Sequence, residues 1–198
     1  MSVLPIITLP EPVLRQVSAK VERFDAELKR LAADMLETMY DAPGIGLAAV
    51  QVNVPVRLLV LDVGDENDND DEPNPEIPAS NPGQESKPPA KPPAKPEVRN
   101  PIVMINPRIL TLSDERRVYE EGCLSLPDVR VDIERPAALT VAYQDLEGKP
   151  HELTTAGLLA TAIQHEADHL DGRLIIDYLT SLKRDIIIRR FKKQARQS

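Results

Sequence analysis

Residues 154–172 read TTAGLLATAIQHEADHLDG, and this stretch sets the reading of the whole chain. Leu158, Leu159, Ala162, Ile163 and His165 recur at helical spacing, which predicts a core-facing helix. Thr154 or Thr155 is placed to cap its start, and Gly172 to close its end in a left-handed turn. Inside it stands His165-Glu166-Ala167-Asp168-His169. Residues four apart share a helix face, so two imidazoles there can share a divalent ion, and Glu166, one step round, can reach a water on that ion and take its proton. The alternative is two histidines that merely share a face; the chain uses histidine only three times, which weighs against it.

Around this helix the pattern predicts one α+β domain, with antiparallel sheets packed about the histidine-bearing helix and a further helix at the C-terminus. Asp25 is a candidate N-cap for a helix carrying Leu28, Leu31, Met35, Leu36, Met39 and Tyr40 and stopping before Pro43-Gly44. Residues 56–63 and 102–112 are aliphatic runs that read as strands, and residues 138–143 and 153–155 flank the turn-like DLEGKP as a hairpin. Residues 181–194 read as the last helix, with Leu179, Leu182, Ile186 and Phe191 as its apolar stripe. Residues 64–99 break the pattern. They hold nine of the 19 prolines and nine acidic side chains against four basic ones, too polar to bury a core. The acidic half predicts disorder and KPPAKPPAKP an extended spacer, so 64–99 reads as a surface insertion within a single domain of 1–198. A ligand for a proline-binding module is the alternative there.

Composition narrows the function classes. With four Tyr, two Phe and no Trp, the chain can hardly spare rings for a single-stranded nucleic-acid platform. A net charge of −8 argues against a generic polyanion binder and against sequence-specific DNA binding. One cysteine excludes an intrachain disulfide and fits a reducing compartment. The opening MSVLPIITLPEPVLRQV carries no targeting pattern, and no apolar run approaches the ~18 residues of a membrane span, so a cytoplasmic location without membrane partners is expected.

Two histidines do not complete a catalytic metal site, which for zinc typically has three protein ligands and an open position. HEADHLDGRLI follows the HExxHxxGxxH pattern through Gly172 and then departs from it, because Ile175 stands where a third His would be. His151 and Asp177 are candidates, and so is the sole cysteine in Glu121-Gly122-Cys123-Leu124-Ser125. A Cys and two His suit Zn(II), Fe(II), Co(II) or Ni(II) alike. A buried structural cysteine and a metal-free Cys–His nucleophile are the competing readings of Cys123. In Gly44-Ile45-Gly46-Leu47-Ala48-Ala49-Val50-Gln51, the glycines would admit a close backbone approach and Gln51 could aim its NH2 at a developing oxyanion. A plain connection with Gln51 exposed is the other reading.

GIGLAAVQ, EGCLS and QHEADHLDG, in that order, resemble the three signature motifs of the peptide deformylases. The resemblance runs from ITLPEPVLRQVS to the C-terminal helix and leaves residues 64–99 aside. It implies a hydrolase that removes the N-formyl group from formyl-Met nascent polypeptides and releases formate. It further implies Cys123, His165 and His169 as metal ligands, Glu166 as base and then proton donor, and Gln51 with the Leu124 N–H as oxyanion stabilisers. One divalent ion per chain is implied, Fe(2+) natively, with Zn(2+), Ni(2+) or Co(2+) able to take the site. The family's extended peptide would lie beside Ile45, Gly46 and Gly122, with its methionine among Ile45, Leu158, Thr161, Ala162 and the His165 ring and with Arg130 near the peptide. Tyr119 and Thr161 stand where the family often has aliphatic residues. For the basic run from Lys183 to Arg196 the resemblance implies docking on the ribosome, which suits phosphate contacts, a solvated helix face being the alternative. Two rivals differ in class: an HExxH protease cutting internal peptide bonds, and a non-enzymatic relative with a structural metal, which would have no need of Glu166.

Overall fold

The computed structural model describes residues 2–64 and 99–197. The surface insertion expected over 64–99 falls outside these residues except at its two ends.

The first helix, α1 (Ala26–Asp41), begins where Asp25 accepts bonds from the Glu27 and Leu28 N–H groups, both at 3.1 Å, a cap usually worth about 1 kcal/mol. Leu28, Ala32, Met35 and Met39, spaced by four or three, form its buried face. Five strands follow in one antiparallel sheet: β1 (Gly46–Ala48), β2 (Leu58–Leu61), β3 (Ile102–Leu112), β6 (Ala138–Gln144) and β7 (Pro150–Ala156), in the order β1-β2-β3-β6-β7. Between β3 and β6 a separate hairpin forms from β4 (Arg116–Cys123) and β5 (Leu126–Pro136). Helix α2 (Gly157–Leu170) carries the HExxH pattern, and α3 (Ser181–Gln194) is the last described element. The expected α+β class, antiparallel sheets and C-terminal helix are all present.

Strand β2 is buried on both faces, which is why it reads LLVL without alternation. Leu59 and Leu61 face the cluster that packs α2, with Met104, Val141, Leu159 and Ile163, while Leu58 and Val60 face the cluster that packs α1, with Met35 and Met39. A third cluster, built on Leu14, Leu126, Val131, Ile133, Ile176 and Phe191, fastens the β4–β5 hairpin and α3. Truncating such a Leu or Ile to Ala would cost about 2–5 kcal/mol. Helix α2 contacts β1, β2, β6 and β7 of the large sheet and also β5 of the hairpin, so side chains from both sheets reach its polar face.

Four local expectations are corrected. Helix α2 starts at Gly157, not at Thr154 or Thr155; these β-branched residues finish β7 opposite Thr140 and Leu139, and Gly157 at φ +63° makes the turn into the helix. The strand expected over 56–63 is shorter, Leu58–Leu61. The β4–β5 hairpin and β1 were not anticipated as strands. The stripe of α3 is displaced: Phe191 is buried with Ile187 and Ile188 against the third cluster, whereas Leu182 and Ile186 are 71% and 58% exposed. Gly172 closes α2 as expected at φ +73°, where a Cβ would lie 2.6 Å from the Arg15 carbonyl oxygen.

Candidate active site and metal centre

One turn of α2 separates His165 and His169, whose ring centroids lie 5.1 Å apart. Cys123 ends β4 where the hairpin register slips, from Gly122 opposite Arg130 to Cys123 opposite Leu126, and this irregularity turns the thiol toward α2. Its Sγ is 3.2 Å from His169 Nε2, and ligand atoms of Cys123, His165 and His169 lie within 4.8 Å of one another, the one such group among the described residues. Bonds of about 2.0–2.3 Å to a common tetrahedral ion would place neighbouring donors roughly 3.3–3.8 Å apart, so the cluster fits a metal. His151 and Asp177 lie elsewhere. His151 pairs with Asp145 at 2.6 Å and stacks on Tyr143, while Asp177 pairs with Arg15 and caps the Leu174 N–H.

The electrostatics also suit a cation. Burial holds His169 well below the ordinary imidazole value, leaving it neutral as a ligand must be. Burial would lower His165 too, but its hydrogen bonds to Cys123 and Glu121 and the charge of Glu166 outweigh that and raise it well above the ordinary value, so this point of the site favours positive charge. Glu121 Oε2 is 2.8 Å from His165 Nδ1, which leaves Nε2 as the ligand atom. Arg135 holds the Glu121 carboxylate through Nε at 2.5 Å and Nη2 at 3.0 Å. Neither Glu121 nor Arg135 was singled out from sequence. The alternation of Val129, Val131 and Ile133 with Arg130, Asp132 and Glu134 would have revealed β5, and with it Arg135 on the buried face.

Glu166 is 4% exposed. Desolvation pushes its carboxyl up to about 7; Glu121 and Asp168 add to the rise, and His165 and Arg135 oppose it. Its Oε2 is buried with no hydrogen-bond partner among the described residues. A Cβ built on Gly46 would fall 3.0 Å from Glu166 Cγ and Cδ and closer still to Oε1, so β1 approaches this carboxylate only because residue 46 is glycine. Gln51, in a 3-10 turn (Ala49–Val52), is 1% exposed, which overturns its reading as a surface residue. Its Oε1 accepts from the Ala48 N–H at 2.8 Å, so the amide presents NH2 to Ser125 Oγ at 3.1 Å and to Cys123 Sγ at 3.7 Å.

These side chains border a cavity of about 420 Å³. Ile45, Gly46, Gln51, Gly122, Cys123, Leu124, Arg130, Leu158, Thr161, Ala162, His165 and Glu166 all line it, and His169 lies buried beneath. The residues that the resemblance nominates are therefore in one place, whereas His151 and Asp177 are not. Strand β1 is an end strand of its sheet, with Ile45 and Gly46 at the cavity wall.

The family model described as polypeptide deformylase matches residues 3–185. The peptide deformylase of Rhizobium meliloti (strain 1021) is 53% identical over 196 residues, covering 99% of this chain and 96% of the relative. That of Brucella suis is 48% identical over 197 residues, covering 100% and 96%. Among solved structures, peptide deformylase from Ehrlichia chaffeensis superposes with a TM-score of 0.78 at 37% identity, covering 100% of this chain and 99% of the other. The Met-Ala-Ser-bound enzyme from Acinetobacter baumannii superposes with a TM-score of 0.72 at 33% identity, covering 90% and 100%. A match of this extent, over a Cys–His–His cluster with a buried carboxylate beside it, shows that the chain belongs to the peptide deformylases, the metallohydrolases that remove the N-formyl group from nascent polypeptides.

Proposed function

We propose that deformylation of formyl-Met peptides here uses Cys123, His165 and His169 as metal ligands, Glu166 as base and then acid, and Gln51 with the Leu124 N–H as oxyanion donors. The observation that carries these roles is the meeting of a buried carboxylate, a buried amide NH2 and a thiol–imidazole–imidazole set at one cavity. A divalent ion held by that set supplies Lewis acidity and a water acidic enough to lose its proton near neutral pH. Glu166, buried beside this set, sits where a group can accept a proton and afterwards return it to the departing amine. Gln51 cannot swing, because the Ala48 N–H fixes its carbonyl end, so its NH2 meets the developing oxyanion without reorganisation.

The peptide adds to the outer edge of β1 at Ile45 and Gly46, with Gly122 on the far side and Arg130 at the rim. Its methionine enters among Leu158, Thr161, Ala162 and the His165 ring. Thr161 Oγ1 bonds the Gly157 carbonyl at 3.2 Å, so its hydroxyl is satisfied by the helix and need not spoil an apolar pocket. Met-Ala-Ser in the Acinetobacter structure is the deformylated form of such a peptide. The native ion is Fe(2+), with Zn(2+), Ni(2+) and Co(2+) as substitutes that the same ligand types accept. The test is formate release from formyl-Met-Ala-Ser by iron- or cobalt-reconstituted protein, with casein as the control for internal cleavage. Release should occur without casein hydrolysis, and Glu166→Gln should lose ~10²–10⁴ in turnover while keeping its metal. Turnover near wild type in that variant would overturn the assignment.

The whole of 1–198 is taken as one catalytic domain carrying 64–99 as an insertion between β2 and β3. Leu61 pairs with Ile102, and the Asp62 carboxylate accepts from the Gly64 N–H at 3.0 Å and the Asn100 N–H at 3.1 Å, so the segment leaves and returns at one point of the sheet. Lys183, Arg189, Arg190, Lys192 and Lys193 of α3 are exposed, which suits docking on ribosomal RNA phosphates. No described helix is long and apolar enough to cross a membrane, and a cytoplasmic site of action follows from the substrate.

A further inference from the structure

The buried guanidinium of Arg135 does more than hold Glu121. Its Nη1 extends to Asp168 Oδ2 at 2.9 Å and to the Tyr178 hydroxyl at 3.2 Å, and that hydroxyl donates to the same Asp168 oxygen at 2.7 Å. Tyr178 ends a 3-10 turn (Ile175–Tyr178) beyond α2, while Asp168 lies one turn along α2 from His165. The contacts form a continuous line, Tyr178–Asp168–Arg135–Glu121–His165, whose last member is a metal ligand.

Anchoring of the 3-10 turn does not account for the Tyr178 hydroxyl. That turn is already fixed by buried Ile175 and Ile176, by Asp177 accepting from the Leu174 N–H at 2.9 Å, and by the Asp177–Arg15 pair. Tyr178 itself is 45% exposed, so its ring adds little to the core. Its hydroxyl touches only charged partners. One guanidinium there must serve two carboxylates, Glu121 and Asp168. By donating to Asp168, Tyr178 reduces the pull of that acid on Arg135 and leaves Nε and Nη2 to the fork on Glu121.

We propose that Tyr178 and Asp168 are positioning residues for the metal centre, acting through Arg135 and Glu121 to hold the His165 ring with Nε2 available to the ion. The inference rests on the Cys–His–His site described above and concerns how firmly that site keeps its ion. Loss of an outer hydrogen-bond partner typically costs ~10–100-fold in metal affinity, and Tyr178 stands farther out than the partners in that range, so about 3–10-fold is expected.

Tyr178→Phe keeps the ring and removes one oxygen. The wild type, Tyr178→Phe, Asp168→Asn and the double variant are loaded with Co(2+). Three quantities are read: the rate of metal release to a chelator, the visible d–d spectrum, and the melting temperature of the metal-free protein. Tyr178→Phe should release cobalt about 3–10-fold faster with a changed spectrum and an unaltered metal-free melting temperature. The double variant should release it no faster than Asp168→Asn, because both groups act through one guanidinium. Wild-type release and spectrum in Tyr178→Phe, with or without a lowered melting temperature, would overturn the proposal. Failure of the wild type to retain one ion per chain would instead sink the metal site on which it rests.

Discussion

Replacing Gly46 by Ala tests how closely the end strand and the base are fitted. The added Cβ would sit 3.0 Å from Glu166 Cγ and Cδ and nearer still to Oε1, so the carboxylate or β1 must retreat by roughly 1 Å to reach ordinary van der Waals separation. Neither can do so freely. Glu166 is buried on α2, and Gly46 is paired with Leu61 in a strand whose three residues are all buried. A displacement of about 1 Å in a reacting group costs on the order of 10²-fold in rate, and overpacking of this kind costs about 1–3 kcal/mol in stability. Formate release from formyl-Met-Ala-Ser, measured with cobalt-loaded protein, should show kcat falling ~100-fold with the metal retained. If the methyl group acted only by obstructing the peptide, KM would rise and kcat would survive. A variant within about threefold of wild-type kcat would refute the reasoning, since it would show that Glu166 has room to move without consequence.

Gln51→Ala removes the NH2 beside Cys123 and should lower kcat by ~10²–10³ with little change in metal content; an unchanged kcat would remove Gln51 from the mechanism. Deleting residues 66–97 should leave turnover and melting temperature close to wild type, because the Asp62 carboxylate gathers both ends of the segment on the sheet; a large loss of turnover would tie the segment to catalysis. Replacing Lys183, Arg189, Lys192 and Lys193 together by Ala should weaken association with ribosomes and flatten its salt dependence while sparing short peptides; unaltered binding would leave α3 as a solvated surface.

What could be read from sequence was what short-range physics dictates. The Asp25 cap, the spacing of Leu28, Met35 and Met39, and Gly172 mark α1 and the end of α2 because capping and periodicity act within a turn or two. His165, Glu166 and His169 were legible for the same reason. Cys123 stood as one candidate among several until the resemblance joined it to them, since its approach to α2 depends on a register slip in a hairpin that was not anticipated. Strand β1 has three residues, all buried, and offers no alternation to detect. Thr154 and Thr155 look like caps, yet pairing with β6 outweighs that local preference. The buried face of α3, though not its bounds, was misjudged because Leu182 and Ile186 are as apolar as Ile187 and Ile188, and only the third cluster decides which pair is covered. The Glu121–Arg135 fork was missed because residues 126–136 were not read as a strand, although the alternation of Val129, Val131 and Ile133 places Arg135 on their buried face.

One sulfur and two imidazole nitrogens on a single ion carry every role proposed for this cavity. X-ray absorption at the metal edge of zinc-reconstituted protein addresses that arrangement directly. One ion per chain is expected, with one sulfur at ~2.3 Å and two nitrogens at ~2.0–2.1 Å, and with the sulfur contribution lost in Cys123→Ser. A shell without sulfur in the wild type, or one unchanged by that substitution, would contradict it.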